Sequence, residues 1–355
     1  MAAASLKPAP LPRLFQSVLD TLEPGWRDRK FLVACSGGLD STALLQLTAL
    51  SLPPAQAAAA HLNHGWRGSA ADRDQAFAAR AAAELGLAFF TEKGDPAGLA
   101  RRRKKGLEEA ARLTRYDFLA RAARGWGADF ILTAHQADDQ AETLLMNLLR
   151  GAGPAGLAGI PPRRPLAGLV VLRPLLAFSR EILKAWLKDR GLAWLEDESN
   201  DDRRFWRNAV RGELLPVMKQ WNPRLLEALG RSAALMRAEE DFWRIRLAEL
   251  WARVVRAESP AEIEMDRGLL AGLSLAERRR LVHAGLTRIQ RALNLINEPV
   301  TFAAVETALG LAALGRRRGL DLPGGLRASS EGPVLRLALC SRFAAKTLAP
   351  GGAAT

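Results

Sequence analysis

The residue types with the clearest chemical potential lie together in segment 36–41, which reads Ser-Gly-Gly-Leu-Asp-Ser. Its two glycines allow the backbone to adopt positive φ and to turn N–H groups toward an anion, and the helix expected after it favours phosphate at its N-terminus. The serines add hydroxyl donors, and Asp40 could hold a Mg²⁺ ion that bridges phosphate oxygens. The segment predicts a nucleotide-binding loop, with a tight strand-to-helix turn as the simpler alternative. The candidate nucleotide-binding residues are Ser36, Gly37, Gly38, Leu39, Asp40 and Ser41.

A second group of reactive side chains follows the predicted strand Asp129–Thr133. Asp138 and Glu142 are four residues apart on the next helix and share a face, so they could hold an ammonium group or accept its proton together with Asp139. His135 stands at the end of the strand, where α/β proteins bind ligands, and could donate to a phosphate. The alternatives are an acidic helix start, which the helix dipole favours anyway, and a structural histidine.

Two arginines share a face of the predicted helix Leu107–Trp126. Arg112 and Arg115 are three residues apart and could contact one phosphate or carboxylate, joined by Arg207 from a distant segment. An ion pair between Glu108 and Arg112 is the alternative.

Histidines also follow the second predicted strand. His61 and His64 have the spacing of a metal pair, but no third and fourth ligands follow, so metal binding is disfavoured. We expect His64 and Arg67 to shape a nucleotide or base pocket instead.

The elements that must position these residues alternate in the first half of the chain. Strand-like runs at 31–35, 55–62, 87–91 and 129–133 alternate with helical patterns at 41–50, 70–85, 107–126 and 139–150. This order predicts βαβ units and a mainly parallel sheet. The glycine-rich segment 151–159 is expected to be a loop.

The second half has a different character. Near Pro216 the pattern becomes mainly helical, with Trp243, Leu247, Leu250 and Val254 on one helical face. Alternating leucines after Pro323-Gly-Gly325, at Leu335, Leu337 and Leu339, predict a terminal β-hairpin. We therefore expect an α/β catalytic domain at 1–216, a smaller, mainly helical auxiliary domain ending in a hairpin at 217–345, and a disordered tail at 346–355.

Composition limits the class of protein and its partners. The 355 residues are 48% hydrophobic and 25% charged, which is typical of globular proteins rather than disordered ones. No apolar stretch reaches the length of a membrane span, and the first residues lack an export signal, so we expect a cytoplasmic protein without a membrane partner. Cys35 and Cys340 are too far apart in sequence to indicate a disulfide framework or a metal motif.

The net charge of +13 favours a polyanionic partner, although an arginine-rich proteome would produce a similar excess. The charge is concentrated in separate clusters, a distribution that fits phosphate contacts along an extended RNA. The clusters are Arg101–Lys105, in an expected loop, Arg163–Arg164, Arg203–Arg204, Arg278–Arg280 and Arg316–Arg318.

The loop at 36–41 resembles that of the PP-loop ATP pyrophosphatases, which grip the pyrophosphate released when a substrate oxygen is adenylated. Further segments resemble the tRNA(Ile)-lysidine synthetase family within that superfamily, strongly over about 30–220 and more loosely to 339. These segments are His61–Arg67, Glu108–Tyr116, Ala134–Thr143, Leu149–Gly151, Arg173–Leu176, Asp197–Asn200 and Arg207–Arg211. Where the family pattern has a second histidine, this chain has Gln136, which leaves the role of that side chain open.

The resemblance implies an ATP- and Mg²⁺-dependent ligase that attaches free L-lysine to C2 of the wobble cytidine in the isoleucine tRNA with a CAU anticodon. The base would be adenylated, AMP and pyrophosphate released, and the tRNA changed from reading AUG as methionine to reading AUA as isoleucine. It implies catalytic roles for Asp40, Arg112, Arg115, His135, Asp138, Asp139, Glu142 and Arg207. A homodimer is one assembly that the sequence allows.

Three other classes compete with this interpretation. A tRNA thiolase normally needs a cysteine-based sulfur relay, whereas Cys35 lies in the first predicted strand and Cys340 in the terminal hairpin. A non-catalytic RNA-binding module would not need the loop and the acidic cluster. A small-molecule ligase would not need so many basic clusters.

Overall fold

The computed structural model describes residues 10–65, 68–196, 206–293, 299–314 and 317–340. The chain divides into two compact units after Ala238. This division lies after Pro216, where the sequence pattern becomes mainly helical. It falls within the helix Leu225–Val254, which begins in the first unit and ends in the second.

The first unit is built from alternating strands and helices. Its strands are β1 Phe31–Ala34, β2 Ala57–Asn63, β3 Ala88–Lys93, β4 Phe130–Leu132, β5 Arg163–Leu166 and β6 Leu169–Leu172. Its helices are α1 Leu11–Leu22, α2 Leu39–Ala49, α3 Ser69–Glu84, α4 Pro96–Arg103, α5 Leu107–Trp126, α6 Ala137–Leu149, α7 Pro154–Leu157, α8 Arg180–Asp189, α9 Trp206–Ala209 and α10 Leu215–Trp221. A π-helical turn, Val210–Leu214, joins α9 to α10, and α11, Leu225–Val254, crosses the division between the units.

The strands form one sheet in the order β3-β2-β1-β4-β6-β5. All neighbouring pairs are parallel except β5 and β6. Phe31 of β1 is in register with Ala57 of β2 on one side and with Phe130 of β4 on the other, so the chain leaves β1 in one direction and returns on its opposite side. Ligands of open α/β sheets bind at such a switch point, beyond the carboxyl ends of the strands. The predicted parallel α/β fold is confirmed.

The two faces of the sheet pack against different helices. Phe31 and Val33 of β1 join one core with residues of α1, α2 and α8, whereas Leu32 joins a second core with Leu119 of α5. Every residue of β2 is buried. Its alanines are weak strand formers, but burial on both faces stabilises the strand where intrinsic propensity does not.

Two segments expected to be loops contain helix. Arg101–Arg103 form the last turn of α4, and the helix starts because Asp95 accepts a hydrogen bond from the Gly98 N–H and Pro96 fits the first helical position. Cations in a last helical turn interact favourably with the helix dipole, which explains why this basic run is helical. Within segment 151–159, Pro154–Leu157 form α7, which also begins at a proline.

The second unit combines helices with an antiparallel sheet. Its strands are β7 Val255–Glu258, β8 Glu262–Asp266, β9 Arg318–Leu322, β10 Leu326–Glu331 and β11 Val334–Leu339, and its helices are α12 Arg267–Ala271, α13 Leu275–Ala292 and α14 Phe302–Ala313. The strand order is β7-β8-β11-β10-β9. Leu335, Leu337 and Leu339 of β11 are buried, so the terminal hairpin is confirmed, and it belongs to a larger sheet than the sequence indicated.

The predicted apolar face of α11 also contributes to the second core. Leu250 and Val254 are buried there and Leu247 packs against them, while the ring of Trp243 lies 4.7 Å from the Arg280 guanidinium. The predicted tail 346–355 lies outside the described residues. Of the helices that the structure describes, none has the length and apolar character needed to cross a membrane.

Candidate active site

A cleft of about 600 Å³ lies at the carboxyl ends of β1, β2 and β4 in the first unit. Parallel strands deliver their following loops to the same edge of the sheet, and this brings together residues that are far apart in sequence. Among the predicted site residues, the cleft is lined by Ser36, Gly38, Leu39, Asp40, Ser41, His64, Arg115, His135, Asp139 and Arg207. Arg180 and Arg211, which were not predicted as site residues, also line it.

The loop after β1 has the geometry of an anion-binding turn. Gly37 has φ +87°, a backbone conformation that favours glycine. A Cβ atom at this position would also lie 2.8 Å from Cδ1 of Leu195, so a side chain would clash there. The Leu195 N–H donates to the Gly37 carbonyl at 2.9 Å. Ser41 closes the loop, because its Oγ accepts from the Ser36 N–H at 3.1 Å and lies 3.0 Å from the Ser36 hydroxyl. The loop is thus held in shape before any ligand contact.

Asp40, in the first turn of α2, is the acidic group of this loop. Its Oδ2 accepts a hydrogen bond from Arg180 Nη1 at 2.6 Å, while its Oδ1 is buried and has no hydrogen-bond partner among the described residues. Burial raises the pKa of Asp40 to about 6, against the lowering effect of Arg180. A buried carboxylate oxygen without a donor favours a cation, because a positive ligand would supply the missing compensation.

Gln136, which stands where the family pattern has a second histidine, has a structural role at the start of α6. Its side-chain oxygen accepts from the Asp138 N–H, and the carboxylate of Asp139 accepts from the Gln136 N–H at 3.1 Å. These reciprocal bonds form a capping box that fixes the start of α6. Gln136 therefore orients the acidic helix from a fully buried position.

The three carboxylates of α6 have different surroundings. Asp139 lines the cleft, with Arg211 3.7 Å from its Oδ1. Asp138 lies outside the cleft lining, where its Oδ1 pairs with Lys219 at 3.2 Å and its Oδ2 accepts from the Arg180 N–H at 2.9 Å. Burial raises the pKa of Asp139 and opposes its charged form.

Glu142 is fully buried behind the cleft. Arg211 Nε donates to its Oε1 at 2.6 Å, and Arg207 Nε lies 3.3 Å from its Oε2. Burial raises the pKa of Glu142, whereas its hydrogen bond to Arg211 lowers it. Arg207 also donates to the Thr143 hydroxyl at 3.2 Å, so the predicted Arg207 belongs to this cluster.

The histidines of the site are neutral at physiological pH. Burial and the nearby guanidinium of Arg173 lower the pKa of His135 to about 3, and its Nδ1 lies 3.1 Å from the Thr133 hydroxyl. Burial also lowers the pKa of His64 to about 4. His61 is buried, and its Nδ1 is hydrogen-bonded to the carbonyl of Cys35 at 2.9 Å, a contact that ties β2 to the loop after β1.

The helix α5 carries two of the predicted arginines, and Arg112 is not among the residues that line the cleft. Arg115 lines the cleft, and the Arg112 guanidinium lies 5.6 Å from the ring of Tyr116. Tyr116 also accepts a hydrogen bond at 3.3 Å from Arg173, which is almost fully buried. The wall around Tyr116 is thus strongly cationic, a property suited to an anionic substrate group.

Other predictions have mixed outcomes. Arg67, expected to shape the pocket, and segment 197–200, which resembles the family, lie outside the described residues, as do Arg203, Arg204 and Arg316 of the basic clusters. Several remaining cluster residues are ion-paired within the chain. Examples are Arg163 with Glu23, Arg279 with Glu306 and Arg280 with Glu240.

The described residues contain no group of three or more His, Cys, Asp or Glu side chains that could hold a metal ion by themselves. A Mg²⁺ ion at Asp40 would therefore need other ligands, and phosphate oxygens are the usual ones for this ion. The unpartnered Oδ1 of Asp40 fits that arrangement. Both cysteines are buried, and burial raises the pKa of the Cys35 thiol, which disfavours its reactive thiolate form.

Comparison with known proteins gives a consistent picture. A PP-loop domain family matches residues 11–218. A tRNA(Ile)-lysidine synthase of Symbiobacterium thermophilum is 40% identical over an alignment of 324 residues, which covers 87% of this chain and 64% of that protein. A tRNA(Ile)-lysidine synthase of Thermus thermophilus is 40% identical over 306 residues, 86% of this chain and 56% of that protein. The chain thus spans between about half and two thirds of the length of these two relatives.

A tRNA(Ile)-lysidine synthase of Chlorobaculum tepidum is matched over most of its length. It is 34% identical over an alignment of 300 residues, which covers 83% of this chain and 86% of that protein. Among solved structures, a U34-tRNA thiolase from Methanococcus maripaludis, determined with its 4Fe-4S cluster, has a TM-score of 0.52 at 17% identity and covers 63% of this chain and 79% of its own. At that identity the likeness shows a shared fold.

Proposed function

Because the chain belongs to the tRNA(Ile)-lysidine synthase family of PP-loop proteins, we propose that it attaches free lysine to the wobble cytidine of the isoleucine tRNA with a CAU anticodon. The new bond joins a lysine amine to C2 of the base. ATP is consumed, and AMP and pyrophosphate are released. The modified tRNA reads AUA instead of AUG and carries isoleucine instead of methionine identity.

One observation carries this proposal: a single cleft contains the Ser36–Ser41 loop, His135 and Asp139. The loop can bind the β- and γ-phosphates through its N–H groups and the two serine hydroxyls. Mg²⁺, held by Asp40 and phosphate oxygens, would supply charge stabilisation at the phosphates. The remaining space beside the loop is available to a cytosine extruded from the anticodon, which would present its C2 oxygen to the α-phosphate.

The cationic wall can stabilise the charge that develops during adenylation. Arg115 lines the cleft and Arg112 lies one helical turn away on α5. His135 is neutral and can therefore act as a hydrogen-bond donor without titrating near pH 7. Transfer of AMP to the C2 oxygen turns it into a good leaving group. The lysine amine then attacks C2, the bond from C2 to that oxygen breaks, and AMP departs.

The lysine amine must lose a proton before it attacks. Asp139 is the carboxylate of α6 that lines the cleft, and its burial-raised pKa makes it a better proton acceptor than an ordinary aspartate. Asp138 and Glu142 have closer cationic partners within the chain, Lys219 at 3.2 Å and Arg211 at 2.6 Å, whereas Arg211 lies 3.7 Å from Asp139. We therefore propose that Asp139 receives the lysine amine and that Glu142 supports it by holding Arg211.

The RNA would be positioned by basic residues that read charge rather than base identity. Arg101 and Arg103 at the end of α4 are exposed cations. RNA contacts such residues through its phosphate backbone, and the affinity of the protein for RNA then depends on the salt concentration. We propose that residues after 216 form an auxiliary tRNA-binding part and that the reaction takes place in the cytoplasm.

A tRNA thiolase is the strongest competing activity, because a protein with that name shares the fold. Such chemistry needs an accessible thiolate. Cys35 and Cys340 are both buried, which argues against a sulfur relay in this chain.

The deciding experiment supplies the full chain with ATP, Mg²⁺, isotopically labelled lysine and bulk tRNA, and analyses the digested nucleosides by mass. We expect label in a cytidine derivative, with one AMP released for each lysine attached. Asp40→Ala is expected to abolish AMP release while tRNA binding is retained. AMP formation without base modification would favour a small-molecule ligase, and turnover in Asp40→Ala would overturn the assignment of the loop.

A further inference from the structure

Arg180 occupies a position for which neither the sequence motifs nor the proposed chemistry assigns a role. It is the first residue of α8, and its guanidinium lines the cleft beside the loop after β1. Leu183 and Leu187 of the same helix are buried in the core that also contains residues of β1 and α2. The helix that carries Arg180 is therefore fixed to the framework of the nucleotide loop.

The side chain of Arg180 lies directly against the acidic group of that loop. Its Nη1 is 2.6 Å from Oδ2 of Asp40, and 40% of the side chain remains exposed. One nitrogen of the guanidinium is thus engaged, while the planar group has further donors that can face the cleft. A phosphate bound at the loop would meet both a cation-binding carboxylate and an adjacent guanidinium.

The backbone of Arg180 is held by a second pair of residues. The Arg180 N–H donates to Oδ2 of Asp138 at 2.9 Å, and Oδ1 of the same carboxylate pairs with Lys219 of α10 at 3.2 Å. Asp138 therefore links the start of α6 to the start of α8. Both of its oxygens are occupied by these partners.

We propose that Arg180 is a catalytic residue that binds the β- and γ-phosphates of ATP, and that Asp138 is its positioning residue. The inference rests on the proposed use of ATP. Arginine suits this task because its fork of N–H donors matches phosphate oxygens, and such charge-assisted hydrogen bonds are stronger than neutral ones. In this arrangement Asp40 faces the cation and Arg180 the anion of one metal–phosphate group.

The test compares equilibrium binding of ATP and AMP in the presence of Mg²⁺ by calorimetry, using the full chain without tRNA or lysine. AMP lacks the phosphates that Arg180 is proposed to contact. Arg180→Ala should weaken ATP binding about tenfold or more and leave AMP binding nearly unchanged. Arg180→Lys, which retains the charge without the fork, should give an intermediate loss. Lys184→Ala removes an exposed charge from the same helix and should change neither affinity.

The positioning role has its own readout. Asp138→Ala should lower the ratio of ATP to AMP affinity, and Asp138→Asn, whose amide oxygen can still accept the Arg180 N–H, should restore much of it. Unfolding curves of each variant identify any loss of folded protein. An unchanged ATP affinity in Arg180→Ala, or an equal loss of ATP and AMP binding, would overturn the assignment of Arg180 to the phosphates. An unchanged ratio of ATP to AMP affinity in Asp138→Ala would overturn the positioning role of Asp138. A wild-type protein that binds ATP but transfers no lysine would contradict the proposed function alone.

Discussion

Arg211 Nε lies 2.6 Å from Oε1 of Glu142, a carboxylate with no exposed side-chain surface. The ion pair connects α6 to the π-helical turn at 210–214, and Arg207 adds a second cation 3.3 Å from Oε2. A fully buried carboxylate without such partners would be neutral or destabilising. The two arginines thus compensate the buried carboxylate, which in turn holds both of them at the cleft.

Removing this carboxylate should cost substantial stability. Glu142→Ala leaves Arg207 and Arg211 half-buried without their partner, and we expect the free energy of unfolding to fall by about 2–3 kcal/mol. Urea denaturation of the variant and the wild type at pH 7 measures this loss of unfolding free energy. Glu227→Ala breaks an exposed pair with Arg224 and serves as the control, with no measurable change expected. Equal stabilities of Glu142→Ala and wild type would contradict the structural role.

Comparing Gly25 with Gly37 distinguishes the cost of a left-handed backbone conformation from the cost of a steric clash. Gly25 and Gly37 both have φ +87°, but a Cβ at Gly25 has no atom within 4 Å, whereas at Gly37 it meets Leu195 at 2.8 Å. Gly25→Ala should lose about 1–2 kcal/mol from the left-handed conformation alone. Gly37→Ala should lose more in the same denaturation experiment and should also lose ATP binding. Similar losses in both variants, with ATP binding retained, would show that the loop tolerates a side chain.

The first-unit fold could be predicted because its signals are local. The apolar run at 31–34, the helical spacing at 107–126 and the order of elements together indicate a parallel sheet, and parallel topology then groups the loops at one edge. The loop at 36–41 and His135 were predicted for the same reason. The five-stranded sheet of the second unit was harder to predict from the sequence, because short strands such as β7 and β9 mix polar and apolar residues without a clear pattern.

Other parts of the site depend on contacts that no local pattern encodes. Arg180 and Asp40 are 140 positions apart, and the sequence around Arg180 has only the appearance of an ordinary helix start. Gln136 has no motif of its own, yet its capping bonds orient the acidic helix. The different roles of Asp138, Asp139 and Glu142 likewise follow from their partners in the folded chain rather than from their spacing.

His135 should make the folded protein sensitive to acid. Its pKa is about 3 in the folded state against 6.5 in an ordinary environment, so below pH 6.5 the unfolded chain binds a proton that the folded chain does not. Stability therefore falls as pH falls, by up to about 2 kcal/mol from this group at pH 5. His135→Asn should reduce the difference in unfolding free energy between pH 7 and pH 5, while His64 contributes equally to both proteins. An identical difference in the two proteins would contradict a proton-excluding environment for His135.

The exposed arginines at the end of α4 should contribute to RNA affinity through charge alone. In the described part of the chain, neither Arg101 nor Arg103 has a carboxylate at ion-pair distance, whereas the intervening Arg102 has Asp95 at 3.8 Å. Unpaired cations that contact phosphates release counterions from the RNA, so each contact adds to the salt dependence of binding.

Arg101→Gln with Arg103→Gln should therefore weaken tRNA binding at low salt and reduce the slope of log affinity against log salt by about 2, one for each lost contact. Binding titrations at several salt concentrations measure this slope. Arg27→Gln with Arg121→Gln removes the same charge from exposed arginines that already pair with Asp20 and Glu92, and it should change the slope little. A slope that falls equally in both double variants would mean that net charge, rather than the end of α4, determines how the RNA is held.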